Sequence, residues 1–132
     1  MKASKTYRDE EHAVKYMIMM FGDQAAMADK SEEWITEMIQ FMNSVQDDLT
    51  ASGELVSGLG LADPSQARTV RIQNGLPVAT DGPFAESKES LAGYWLVDVE
   101  SEARAVEIAS RVVDFLKEPV EVRQCMDEPP EM

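Results

Sequence analysis

The chemistry available to this chain is concentrated in one run, Asp81-Gly-Pro-Phe-Ala-Glu-Ser-Lys-Glu-Ser90. It sets four charged groups, one aromatic ring and a stiff Gly-Pro corner between two apolar segments. Gly82 can adopt dihedrals closed to other residues, and Pro83 holds φ near about −65°. Asp81 has two readings. In the simpler one its carboxylate accepts a backbone N–H in an Asx turn. In the other it is a general base at a cavity mouth, where apolar walls would raise its pKa into a useful range. Phe84 is either an anchor packed into the core or a partner subunit, or a stacking platform for substrate. Glu86, Lys88 and Glu89 form either a solvated turn, with ion pairs worth less than ~1 kcal/mol each, or a charged lip on which Lys88 meets an anionic substrate.

Further candidates lie on apolar strands: Tyr16, Tyr94, Trp95 and Arg123. Aromatics on such strands are more often core than ligand contacts, so Tyr16 and Trp95 are read as core or pocket wall. Arg123, if buried, needs a partner such as Asp98 or a bound carboxylate. The nine methionines fill core space and would also make a plastic, oxidisable pocket lining. Cys125 stands alone, which excludes an internal disulfide, and its alternating surroundings predict a packed thiol. The one histidine, His12, falls in a polar stretch, so neither a His-rich metal site nor a Ser-His-Asp triad is expected. No Walker or dinucleotide glycine pattern is present, and the expectation is a protein needing neither metal nor nucleotide cofactor. No residue set here dictates a reaction.

The 132 residues are enough for one domain with a substantial core, and 44 per cent are apolar. Twenty-five acids against twelve bases leave a net charge of −13. That charge repels phosphate backbones and anionic bilayers, so neither nucleic acid nor membrane is expected as a partner. No apolar run approaches the ~20 residues needed to cross a bilayer, and the charged start does not read as a signal peptide. The expected location is cytoplasmic.

The elements that must position these groups follow from periodicity. Residues 1–13 and 127–132 read as polar tails around one domain, 14–126. A strand is expected over 14–21, with Tyr16, Ile18 and Met20 on one face and Met17, Met19 and Phe21 on the other. A helix follows over 31–52, capped by Ser31 and closed by Gly53, with Ile35, Met38, Ile39, Met42, Val45 and Leu49 as its buried stripe. Strands are expected over 54–61, 67–73 and 76–80, the last two joined by the hairpin turn Asn74-Gly75. Another spans 91–99, and a helix capped by Ser101 runs to about 115 on Ala105, Ala109, Val112, Val113 and Leu116. A last strand covers 119–126. The order matches an α+β, ferredoxin-like βαββαβ layout with an inserted hairpin. The strands 14–21 and 91–99, which belong at its centre, are apolar on both faces. Two helices cover one face only, so a second copy, packed sheet to sheet, is expected over the other.

The string Thr80-Asp-Gly-Pro-Phe-Ala-Glu-Ser-Lys-Glu89 resembles the signature of the DGPF, or YCII-related, family. Val14-Lys-Tyr-Met-Ile-Met-Met-Phe-Gly-Asp23, Gly53-Glu-Leu-Val-Ser-Gly58 and Leu91-Ala-Gly-Tyr-Trp-Leu-Val-Asp98 resemble it too. The resemblance covers residues 14–126. It implies a dimeric α+β barrel, and relatives among small cofactor-independent monooxygenases and muconolactone isomerase-like proteins. It implies no settled reaction, and links members to alternative sigma factors. A His-Asp pair proposed as catalytic in YciI-like relatives has no counterpart here, because the domain body has no histidine.

Two functions from different classes follow, beside a third reading as a purely structural dimer whose pocket is filled by side chains. One is a small dimeric enzyme acting on an apolar or aromatic molecule, with Asp81 catalytic and Tyr16, Phe84, Lys88, Trp95 and Arg123 around the substrate, in a pocket between helices and sheet. The other is a non-catalytic module that binds a ligand or a partner in a sigma-factor-linked regulatory circuit.

Overall fold

The computed structural model describes residues 14–22, 27–83 and 90–126. Its elements run β1 (Val14–Phe21), α1 (Glu32–Ala51), β2 (Leu55–Gly60), a 3-10 turn (Pro64–Gln66), β3 (Arg68–Gln73), β4 (Leu76–Asp81), β5 (Leu91–Val99), α2 (Glu102–Leu116) and β6 (Val120–Gln124). Both helices begin as their residues dictate. The Ser31 hydroxyl accepts from the Trp34 N–H at 3.0 Å, with Glu32 and Glu33 beside the positive helix end. Ser101 accepts from the Arg104 N–H at 3.2 Å. After α1 the chain turns out through Gly53 at φ 80°; α2 instead ends on Lys117 at φ 60°, the left-handed position that glycine usually fills.

Four strands form an antiparallel sheet in the order β2-β5-β1-β6, the split βαβ arrangement of an α+β fold. The two strands that are apolar on both faces are the central pair. Ile18 lies opposite Trp95 and Val122, and Tyr16 opposite Val97 and Gln124. This face carries the core: Tyr16, Ile18, Trp95, Val97 and Val99 pack against Val45 and Leu49 of α1 and Ala105, Ile108, Ala109 and Val112 of α2. The other face shows Met17, Met19, Tyr94 and Leu96, all half-buried. Neither helix reaches it.

β3 and β4 pair with one another in a separate two-stranded sheet. Asn74 and Gly75 both take positive φ, 53° and 81°, as a tight primed turn requires. The hairpin is fastened at its base, where the Gly82 N–H donates to the Ala67 carbonyl at 2.8 Å and the Thr69 hydroxyl donates to the Gly82 carbonyl at 2.9 Å. Beyond the base Val70, Ile72 and Leu76 are exposed.

Three packing expectations need correction. Ile39, placed on the buried stripe of α1, is 51% exposed, and Val113 of α2 is also exposed, whereas Ile108 is fully buried. Periodicity gives the direction of a stripe but not how far each turn stands from the sheet. The fully buried residues of α1 are confined to its last turns, Val45 and Leu49, with Phe41 and Met42 packed partly buried beside them. Its first half instead leans on α2: Phe41 stacks on Phe115 with centroids 4.5 Å apart, and Trp34 tilts against the same ring at 5.9 Å.

Candidate functional site

The lift of α1 away from the sheet opens a cleft of about 1510 Å³ on the helix-covered face. Four side chains spaced four apart, Trp34, Met38, Met42 and Gln46, fall on one stripe of α1 and form its roof. Met20, Gly58 and Trp95 form the floor, and Leu116 and Val120 close the far side. The mouth is braced by two main-chain bonds, Gly22 N–H to the Ser90 carbonyl at 2.9 Å and Leu61 N–H to the Ala92 carbonyl at 2.8 Å.

Trp95 is the pivot of this site. Only 4% of it is exposed, and its indole N–H donates to Gln46 Oε1 at 3.2 Å. The Cδ1–Nε1 edge of its ring comes close to β2 because residue 58 has no side chain: a Cβ there would stand 2.3 Å from Trp95 Cδ1. The ring cannot yield easily, being held in the core. Gly58 therefore sets the height of the cleft floor.

The polar rim is mostly acidic. Among the described residues Asp29, Asp63 and Glu118 line it with one base, Lys30, whose ammonium sits 4.9 Å from the centre of the Trp34 ring. Asp63 is committed to its own turn, accepting from the Ser65 N–H at 3.1 Å and the Ser65 hydroxyl at 2.6 Å. Among the described residues no cluster of three or more histidine, cysteine or acidic side chains could hold a metal ion.

Of the residues singled out from the sequence, Trp95 lines the cleft. Tyr16 is buried in the core on the neighbouring strand, opposite Val97, and does not. Asp81 ends β4, outside the cleft; its side chain is 92% exposed and pairs with Arg68 across the hairpin at 3.2 Å. Arg123 lies on the uncovered face of the sheet, opposite Met17, and pairs with its neighbour Glu121. It is not the buried arginine the alternation suggested, because no layer among the described residues covers that face. Asp98, offered as its partner, lies instead opposite Lys15. Phe84 and Lys88, with Glu86 and Glu89, fall outside the described residues. Cys125 is half-buried at the end of β6.

Sequence reasoning missed Gln46, Trp34 and Gly58. The four-residue spacing of Trp34, Met38, Met42 and Gln46 was visible, but Met38 and Met42 fit a core stripe equally well. A second polar cluster was also missed. Arg104 of α2 forks onto Glu54, Nε to Oε2 and Nη2 to Oε1, both at 2.8 Å, and also pairs with Glu107. The hydrogen bond to Glu54 pushes the Arg104 pKa up, against the opposing effect of burial. This fork lies at the far end of the core from the cleft and fastens α2 to the start of β2.

The sequence pattern of YCII-related domains matches residues 14–127. An uncharacterized protein of Rhizobium meliloti (strain 1021) is 30% identical over 94 residues, which is 71% of this chain and 76% of that protein.

Proposed function

The chain belongs to the family of YCII-related domains, and we propose that it is a small-molecule-binding protein whose ligand, apolar or aromatic, sits between α1 and the sheet. The observation that carries this reading is the cleft itself. Small-molecule sites commonly occupy roughly 300–1,000 Å³ and are lined by aromatic and aliphatic groups with a few oriented polar ones. The cleft of about 1510 Å³, with Trp34, Met38, Met42 and Trp95 around the Gln46 amide, offers that chemistry with room for an extended ligand. Methionine supports such a role because its unbranched thioether repacks around different shapes.

The non-catalytic reading is favoured over the enzymatic one by the position of Asp81. A general base must come within hydrogen-bond reach of the proton it removes. Asp81 stands on an exposed hairpin, already paired with Arg68. A role in a regulatory, sigma-factor-linked circuit is the setting that the family resemblance suggests for a binder of this kind.

The working unit in this reading is a homodimer, two sheets face to face in an α+β barrel. Met17, Met19, Tyr94 and Leu96 supply the apolar centre of that interface. Although the chain carries a charge of −13, the charges of the described residues on this face balance, Lys15 and Arg123 against Asp98 and Glu121. A two-fold axis through the face would bring together apolar centres without net repulsion.

Both tryptophans of the chain line the cleft, so intrinsic fluorescence reports on it directly. Titration with 2-ethylnaphthalene is expected to change the emission saturably, and Met38→Glu, on the cleft wall away from the core cluster, to weaken the affinity about tenfold with an unchanged urea midpoint, since an apolar contact to the ligand is replaced by a charge. No saturable change in the wild-type protein would overturn the assignment.

A further inference from the structure

We propose that Gln46 determines which ligands the cleft accepts, selecting neutral, flat, apolar molecules that carry a hydrogen-bond-accepting carbonyl. The proposal rests on the cleft being the ligand site.

The argument begins at Trp95. An indole N–H is a donor and never an acceptor, so the atom of Gln46 that faces it at 3.2 Å must be the amide oxygen. The amide of Gln46 is thereby fixed end for end. Its NH2 group, with two donors, is the end left for the cleft that Gln46 lines. A freely rotating glutamine would offer either a donor or an acceptor; this one offers a donor. Its orientation is held from further back, because the indole cannot swing while the core encloses it and its edge packs against Gly58.

Ligand charge follows from the rim. Among the described residues Asp29 and Glu118 face the same space, and the ammonium of Lys30 is drawn onto the Trp34 ring. A carboxylate entering the cleft would be repelled by the rim and would lose its own hydration. A cationic group would gain from the rim but would meet the NH2 end of Gln46 as donor against donor. A neutral carbonyl on a flat ring satisfies the Gln46 donor, packs against Trp34 and the methionines of the roof, and meets no repulsion. The ring supplies affinity and the carbonyl supplies selection, because an oriented polar group discriminates more sharply than an apolar wall.

Three probes of one shape separate these contributions: 2-ethylnaphthalene, 2-acetylnaphthalene and 2-naphthoate, each titrated by tryptophan emission and by calorimetry. The wild-type protein is expected to bind the ketone about tenfold more tightly than the hydrocarbon, as one net hydrogen bond allows, and the carboxylate more weakly than the ketone. Gln46→Leu is expected to bring the ketone-to-hydrocarbon ratio near one with hydrocarbon affinity within about threefold of wild type. Trp95→Phe keeps the apolar floor and leaves Trp34 as reporter, yet removes the N–H that orients Gln46; the same ratio is expected to fall there with glutamine still present. A wild-type ratio near one, a ratio that survives Gln46→Leu, or tightest binding of the carboxylate would overturn the selection rule while leaving the cleft as a binding site. Failure of all three probes to bind would overturn the cleft assignment and this rule with it.

Discussion

The two faces of the central sheet are built from alternate residues of the same strands, and they end in opposite conditions. Ile18, Trp95 and Val97 are enclosed by two helices; Met17, Tyr94 and Leu96, their immediate neighbours in the chain, are half-exposed. Hydropathy does not separate them. What separates them is the number of layers one chain can supply. The difference teaches that apolar character on a strand states a demand for cover, and that connectivity decides whether the chain itself can answer it. The helix side is not uniform either. Toward the ends of β1 and β2 the cover lifts, leaving a cleft, while at the other end the Arg104–Glu54 fork holds α2 down.

The sharpest way to break this comparison is to truncate neighbouring residues on opposite faces. Ile18→Ala, at a position with no exposed surface, is expected to lower the unfolding free energy by about 3 kcal/mol in urea titrations. Met17→Ala is expected to cost less than about 1 kcal/mol when measured at concentrations low enough to keep copies apart. Equal losses would show that the uncovered face is as well packed in the single chain as the other. Next in size is Leu96→Glu on the same open face. It is expected to weaken self-association at least about a hundredfold by analytical ultracentrifugation, with the far-ultraviolet spectrum retained; an unchanged dimer would show that the second copy sits elsewhere. The smallest effect tests the fastened end of the helix layer. Glu54→Gln leaves Arg104, 31% exposed, with a weaker partner, and solvent screening limits the expected loss to about 1 kcal/mol in the same titration.

Much of the fold was legible because local chemistry and global arrangement agree. Ser31 and Ser101 cap the helices they precede, Asn74-Gly75 makes the hairpin, and the unbroken apolar character of 14–21 and 91–99 places those strands at the sheet centre. The candidate site was much less legible. Trp95 was singled out, but as one aromatic among several. Gln46 carries no signal of its own, since an exposed glutamine on a helix is ordinary and becomes distinctive only when an indole 49 residues later points at it. Gly58 is, in the sequence, one glycine within an expected strand; its relevance is the indole edge that packs against it. Asp81 drew attention through its charged and stiff surroundings, yet the hairpin carries it away from the cleft.

The sequence by itself determined the elements, their order, their capping and the two-faced demand of the central strands, because these depend on residue types a few positions apart. The tertiary structure alone decided where the cover lifts to leave a cleft, which end of the Gln46 amide faces it, and that Arg104 would find Glu54. Each of those depends on distances between segments some fifty residues apart, and contacts of that kind are set by how layers dock rather than by any local pattern of side chains.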